Sequence, residues 1–538
     1  MHIVRIGAEA TELRSAEEIG AKAANLARMA ALGLPVPPAF VLPVRLCADI
    51  IAGHAHAAQH LRDGLKEGIS FLERATGKRF GDRRQPLLVS VRSGAARSMP
   101  GMLETVLNVG CTSDAVHGLI RATGRPRLAW DCRRRFLESF GETVLEVDSS
   151  AFAARIAERV GAESAGNDRE LDSEALERLA GDEQALVEDR ADGWLEDAFA
   201  QLEAAAEAVY RSWTSERACA YRSLQHLEAL EGTAVTVQTM AFGNGGLASG
   251  AGVAFSRDPS TGEPRPMIDL VLDAQGEDVV SGRRAPDTAE AIARELPTIE
   301  RELGEVLGRL ECEFADVQDV EFTVEDGKLW ILQTRTAKRT PRAAARIAID
   351  LVHEGLIATD EALARIAQID LASLTETTLI SPGRPATTGI GASGGIGIGR
   401  AAFDSEGAQR LSATGEPVIL LRPDTSTADV AGFAVAAGIV TAVGARTSHA
   451  ALVARQMGKP CVVGCRDLKI DPVAKQARLA DAVLAEGEWV TIEGDAGELY
   501  LGRCETAETR PEAELAEIAR WQSQDRRYER PHAGSMSS

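Results

Sequence analysis

The chain has 538 residues, of which 45% are hydrophobic and 26% charged, so it holds more than one core can use and too much apolar content for extended disorder. Its formal net charge of −21 would be repelled by a nucleic-acid duplex or an anionic membrane, which argues against either as a general partner. Eight scattered cysteines complete no zinc pattern, and neither an export signal nor a long apolar run is visible, so the expected location is the reducing cytoplasm.

To about Asn108 the chain mixes helix and strand signals. Gly20 to Arg28 carries a helical apolar stripe that stops at Gly33, and Pro35, Pro37 and Pro38 bar its continuation. Lys22 lies on this helix among small residues, where periodicity alone reads it as solvated. Leu87 to Val91 is a short buried strand. After it, Arg92 and Arg97 stand among Gly94, Ser98 and Gly101, whose small side chains and free N–H groups suit a phosphate-gripping loop and equally an ordinary surface loop. About Asp114 to Gln225 reads as helical, with Leu128, Cys132, Phe136 and Phe140 at helical spacing and a solvated, loosely connected edge over Gly161 to Asp192. Strands return over Thr233 to Leu272.

Asp319 to Thr336 predicts a β-hairpin turning at Asp326-Gly327. Asp319 and Glu321 are two apart and share a face, where their carboxylates suit Mg2+. A two-residue loop sets Gln333 opposite Val320, on the wrong face. A three-residue loop with Gly327 left-handed puts Asp319, Glu321, Gln333 and Arg335 on one face, and is the expectation adopted. The plain alternative is a solvated outer face of the sheet.

Arg342 to Ile366 is helical with a break at Gly355. The Pro/Gly/Thr-rich run that follows marks a boundary. Its Gly389, Gly391 and Gly394 satisfy a dinucleotide fingerprint without the strand and helix that mechanism needs, and are read as hinge and turn. From about Arg400 to Arg503 short strands and helices alternate. Here His449 opens a helix behind an N-cap at Thr447 or Ser448, a position where the helix dipole disfavours protonation and keeps a ring nitrogen nucleophilic. The bland reading is a helix-start histidine that merely packs.

The runs GAKAANLARMAALGLPVPPAF, SVRSGAARSMPGMLETVLNVG, TAVTVQTMAFGNGGLASGAGVAFSRDPSTGE, AQGEDVVSG and QDVEFTVEDGKLWILQTRTAKRT resemble the nucleotide-binding half of the pyruvate phosphate dikinase family. TSHAA, its helix and KPCVVG resemble that family's phosphohistidine signature. The resemblance implies an α/β and α+β multidomain chain: an ATP-grasp nucleotide-binding domain over 1–340 with a helical insert at about 114–225, a helical linker over 341–385, a swivelling phosphohistidine domain over 386–506 and a charged tail over 507–538. It implies that Lys22 and Arg92 contact ATP phosphates beneath the loop holding Ser98 and Gly101. Gln238 and Met240 would lie at the adenine edge and Glu277 near the ribose. Asp319, Glu321 and Gln333 would hold metal and phosphate with Arg335 assisting, and His449 would be the phosphoryl carrier.

The implied activity is ATP-dependent autophosphorylation of His449 with release of AMP, Mg2+ as cofactor and inorganic phosphate taking part. Three residues depart from the family pattern: Asp269 stands where Glu is usual, and Ala445 and Arg446 stand where Gly and Met are. In the family a pyruvate-binding barrel follows the phosphohistidine domain. The expectation is that this chain lacks it and meets either a separate barrel protein or another phosphoryl acceptor, with a non-catalytic ATP-binding module as the remaining alternative.

Overall fold

In a computed structural model, the protein is described over residues 3–528, apart from 8–10, 98, 100–102, 192, 281–285, 288, 372–373, 426–428, 447, 472–473 and 480–481. The chain divides into two compact units, Met1–Gly245 with Trp330–Thr334, and Gly246–Leu329 with Arg335–Ser538. Among the described residues no helix is long and apolar enough to cross a membrane.

The first unit is built on a five-stranded antiparallel sheet in the order Val4–Ile6, Ala39–Leu42, Thr233–Thr239, Val89–Ala95, Thr105–Val109. Alternation decides its faces. Phe40, Leu42, Val89, Val91, Val235 and Val237 join one core with the helices Ala55–Thr76, Pro126–Thr143 and Ala198–Arg211. That core approaches closely: a Cβ added at Gly68 on the first of these helices would lie 2.4 Å from the Phe40 ring. The acidic stretch after Gly161 departs from expectation. Its helix Ser173–Ala191 buries Leu176, Leu179 and Val187, and Glu183 is fully buried with its carboxyl pushed well up by burial and by the neighbouring Glu138. Every third or fourth residue of this helix is apolar enough to pack, a stripe that its high charge content obscured.

In the second unit an antiparallel sheet runs in the order Lys328–Thr336, Gln318–Glu325, Gly250–Phe255, Met267–Leu272. The hairpin turn corrects the expectation of a three-residue loop. Its two linking residues, Asp326 and Gly327, both have positive φ, +49° and +77°. That is the two-residue turn whose twist matches the strands it joins. It is held by Asp326 N–H on Ser249 Oγ at 3.0 Å and Gly327 N–H on the Ala248 carbonyl at 2.7 Å.

Helices Pro341–His353 and Thr359–Ile366 share a core with Phe255, Val317, Ile518 and Trp521. The last two belong to helix Glu512–Tyr528, so the charged terminal segment is packed by its apolar side.

An eight-stranded sheet follows, in the order Thr387–Thr388, Glu498–Leu501, Trp489–Glu493, Ile396–Ala402, Val418–Arg422, Gly438–Thr441, Cys461–Val463, Ile390–Ser393. Ile396–Ala402 through Cys461–Val463 run parallel and bury both faces: Ile419, Leu421, Val440 and Val462 on one side, Val418, Leu420, Ile439, Cys461 and Val463 on the other. Within the Gly389–Gly394 run, Ile390–Ser393 forms a strand, and Gly389 and Gly394 flank it. A Cβ at Gly391 would come within 2.5 Å of the Gly494 and Asp495 carbonyls, so these glycines serve close backbone packing.

Candidate active site

Strand register gathers the predicted nucleotide residues of the first unit. Ser90 pairs with Gln238 and Arg92 with Thr236, so Arg92 and Gln238 lie on the sheet face opposite the Val89, Val91, Val235 and Val237 core. Lys22 is in the first turn of helix Ala21–Ala31. The N-cap of that helix, Gly20, has φ +80°, and a Cβ there would stand 2.1 Å from the Gly94 carbonyl oxygen. Only glycine lets the helix start so close to the Arg92 strand.

Met240, half-buried, donates its N–H to the Leu88 carbonyl at 3.0 Å. The chain beyond it is anchored by Asn244 Nδ2 on the buried Asp131 carboxylate at 2.7 Å. Gln333 is buried on Trp330–Thr334, which is tied to the first unit by Ile331 N–H on the Pro35 carbonyl (2.8 Å) and Asn25 Nδ2 on the Thr334 carbonyl (3.0 Å). Ser98 and Gly101 lie outside the described residues. Glu277 is an exposed member of helix Gly276–Val280 in the second unit.

The second unit carries the densest charge. Glu321 pairs with Val253, which pairs with Asp269; beside this row Asp319 pairs with Phe255 and Phe255 with Met267. Asp269, Asp319 and Glu321 thus share one sheet face. Arg335 donates through Nε to Asp319 Oδ2 at 2.8 Å and stands 3.9 Å from Glu321. Burial raises the Asp319 carboxyl above its ordinary value and Arg335 opposes the rise. Asp319 Oδ1 is buried without a hydrogen-bond partner among the described residues.

Onto this face comes the helix His449–Met457. It starts just beyond the parallel strand Gly438–Thr441, at the carboxyl edge where α/β sheets place their sites. Ser448 is its N-cap, with Oγ accepting from Ala451 N–H at 3.5 Å. Ala450, Ala451 and Ala454 pack it on the sheet. Gly444 carries the loop's positive φ, +127°, and Ala445 is buried.

Two arginines of this segment, neither among the predicted site residues, lie by the carboxylates, and one of them pairs with Asp269. Arg455 is 1% exposed, sits 5.4 Å over the Phe255 ring, and donates to the carbonyls of Ala392 at 2.7 Å and of Arg446. Burial pulls its guanidinium down to about 10 while Asp319 pulls the other way, so it stays charged at neutral pH. Arg446 pairs with Asp269 through Nη1 and donates from Nε to the Gly391 carbonyl at 3.1 Å. The two departures at Asp269 and Arg446 are therefore each other's partners. A signal for Arg455 and for Asp269 was present in the chain, as single charges inside otherwise apolar runs, HAALVARQM and MIDLVL; Arg446 lies in neither run.

Among the described residues, three metal-binding side chains converge only at Asp49, His54 and His56 on the first unit. Asp319 and Glu321 therefore make no complete protein cage. They offer what a hard cation needs when phosphate oxygens or water supply its remaining ligands.

Two domain families match this chain. Residues 55–306 match the family described as pyruvate phosphate dikinase, AMP/ATP-binding domain, and residues 414–497 the family described as PEP-utilising enzyme, mobile domain. Among individual relatives, pyruvate, phosphate dikinase of Clostridium symbiosum is 40% identical over 509 residues, covering 94% of this chain and 58% of that protein. The chloroplastic pyruvate, phosphate dikinase of Flaveria pringlei is 40% identical over 514 residues, 95% of this chain and 54% of that protein. Pyruvate, phosphate dikinase 2 of Oryza sativa subsp. japonica is 41% identical over 508 residues, 94% of this chain and 57% of that protein. The chain thus spans a little over half the length of these curated relatives. An NMR structure of Enzyme I is similar over 35% of this chain and 59% of that chain at 18% identity, with a TM-score of 0.13 that carries no fold argument.

Proposed function

We propose that the chain is a dikinase-type phosphotransferase that moves a phosphoryl group from ATP to His449 and releases AMP. The observation that carries this reading is the placement of the His449 segment on the sheet bearing Asp319 and Glu321, through the Arg446–Asp269 pair and through Arg455 over the Phe255 ring. In this reading Lys22 and Arg92 grip the phosphates under the Ser98–Gly101 loop, Gln238 and Met240 meet the adenine, and Glu277 meets the ribose. The nucleotide-binding part, residues 1–340, works as an ATP-grasp domain, and residues 386–506 swivel on the 341–385 linker as the phosphohistidine domain.

The buried, unpartnered Asp319 Oδ1 is a hard oxygen donor and fits Mg2+. Asp319 and Glu321 would hold the ion, which would supply positive charge to offset that of the phosphate oxygens. The chain's own groups do the rest. A ring nitrogen of His449 supplies the attacking lone pair. An N–P bond forms as the bond to AMP breaks. Inorganic phosphate accepts the γ-phosphoryl group as pyrophosphate, and the β-phosphoryl group stays on the ring. Arg335 and Arg455 stabilise charge on the moving group.

The test uses purified protein, Mg2+, phosphate, a monovalent cation and ATP labelled separately at the β and γ positions. Wild type is expected to retain acid-labile β-label and to form AMP, and His449→Ala to do neither. A folded wild type that acquires no label in any buffer would overturn the reading. Adding pyruvate, with and without a pyruvate-binding barrel protein, then identifies what discharges the histidine.

A further inference from the structure

We propose that Arg446 is a charge-switched positioning residue: its pair with Asp269 seats the histidine loop on the carboxylate face, and a phosphoryl group on His449 takes Arg446 away from Asp269 and unseats the loop. The proposal rests on the reading of His449 as phosphoryl acceptor.

Arg446 is held from both ends. Its carbonyl accepts from Arg455, and its side chain donates to the Gly391 carbonyl and to Asp269. Asp269 depends on it in return. This carboxylate is 3% exposed, and its second oxygen, Oδ2, has no hydrogen-bond partner among the described residues. Removing the guanidinium leaves a buried charge uncompensated, so the pair couples loop position to the sheet.

Arg446 also stands three residues before His449 and two before the N-cap Ser448. Three residues span at most about 11 Å, within the reach of a long side chain toward a group formed at the helix start. A phosphoryl group there brings nearly two negative charges and three acceptor oxygens, a better partner for a guanidinium fork than one carboxylate. The same charge is repelled by Asp269, Asp319 and Glu321 on the facing sheet. Attraction of Arg446 and repulsion of the face act in one direction: the loop is seated before transfer and released after it.

The experiment uses the full chain as wild type, Arg446→Met, Asp269→Asn and the charge swap Arg446→Asp/Asp269→Arg. Asp269→Asn keeps the side-chain shape and removes the buried charge, so it guards against a folding defect in the other variants. Two quantities are read: the maximal rate of β-label incorporation with its half-saturating ATP, and hydrogen exchange of residues 267–272 and 444–448 before and after phosphorylation. Both single neutral variants are expected to lose roughly tenfold in maximal rate with half-saturating ATP moved by less than roughly twofold, because seating and not nucleotide binding is impaired.

The swap recovers much of that rate. Its phosphorylated form, with no cation at 446, keeps the protection that phosphorylated wild type loses. A labelled wild type with unchanged rates in both single variants, or with equal protection before and after phosphorylation, overturns the switch while leaving the function standing. A wild type that never labels overturns both.

Discussion

Asp319 concentrates the conflict between stability and chemistry in a single carboxylate. It is buried, its ordinary value is raised by desolvation, and Arg335 compensates only in part. A folded-state value above the unfolded one means that this group's contribution to stability is fully present below the ordinary carboxylate range and is lost as pH rises through the raised value. Asp319→Asn does not titrate. In metal-free buffer its thermal midpoint, relative to wild type, is therefore expected to climb as pH rises above the ordinary carboxylate range, while its labelling by ATP is abolished. Differential scanning fluorimetry over that rise in pH checks the sign, and a relative midpoint that falls with pH contradicts it. Asp269 stood out as a shorter side chain than expected, yet what it binds could not be read from its own strand. Its partner comes from a residue 177 positions later.

At the scale of the element, the helix at His449 illustrates local signals and their limit. Its N-cap serine, its alanines and its terminal Gly458 with φ +63° are all legible in order along the chain. The role of Lys459 in the following KPCVVG run is not. Its ammonium donates to the carbonyls of Phe433 (2.7 Å), Ala434 (2.7 Å) and Ala436 (2.6 Å), closing the end of helix Val430–Val435 beside the strand that leads to the histidine loop. Helix-end carbonyls left without a donor are costly. Lys459→Met is expected to destabilise the protein by about 2 kcal/mol, measured by urea unfolding, with Lys459→Arg retaining much of the difference. The hairpin carries the opposite lesson. Asp-Gly announced a turn, but the loop length needed the backbone angles of both residues, because the same dipeptide serves two- and three-residue connections.

For the whole molecule, the terminal helix Glu512–Tyr528 matters more than its composition suggests. Trp521 and Ile518 complete the core made by Pro341–His353 and Thr359–Ile366, and strand Thr506–Thr509 pairs with Glu376–Leu379. Trp521→Ala is expected to cost about 3 kcal/mol and to lower the second unit's calorimetric transition without moving that of the first. An unchanged second transition would contradict this packing.

Legible in the chain alone were the period-2 strands, the helix starts, the shared face of Asp319 and Glu321 and the motif around His449, because each depends on neighbours a few residues away. The Gln333 stretch clustering with the first unit, the Asp269–Arg446 pair, Arg455 over Phe255 and the burial of Glu183 were settled only by folding. Each joins segments tens to hundreds of positions apart, and periodicity carries no information about which distant surface a side chain will meet.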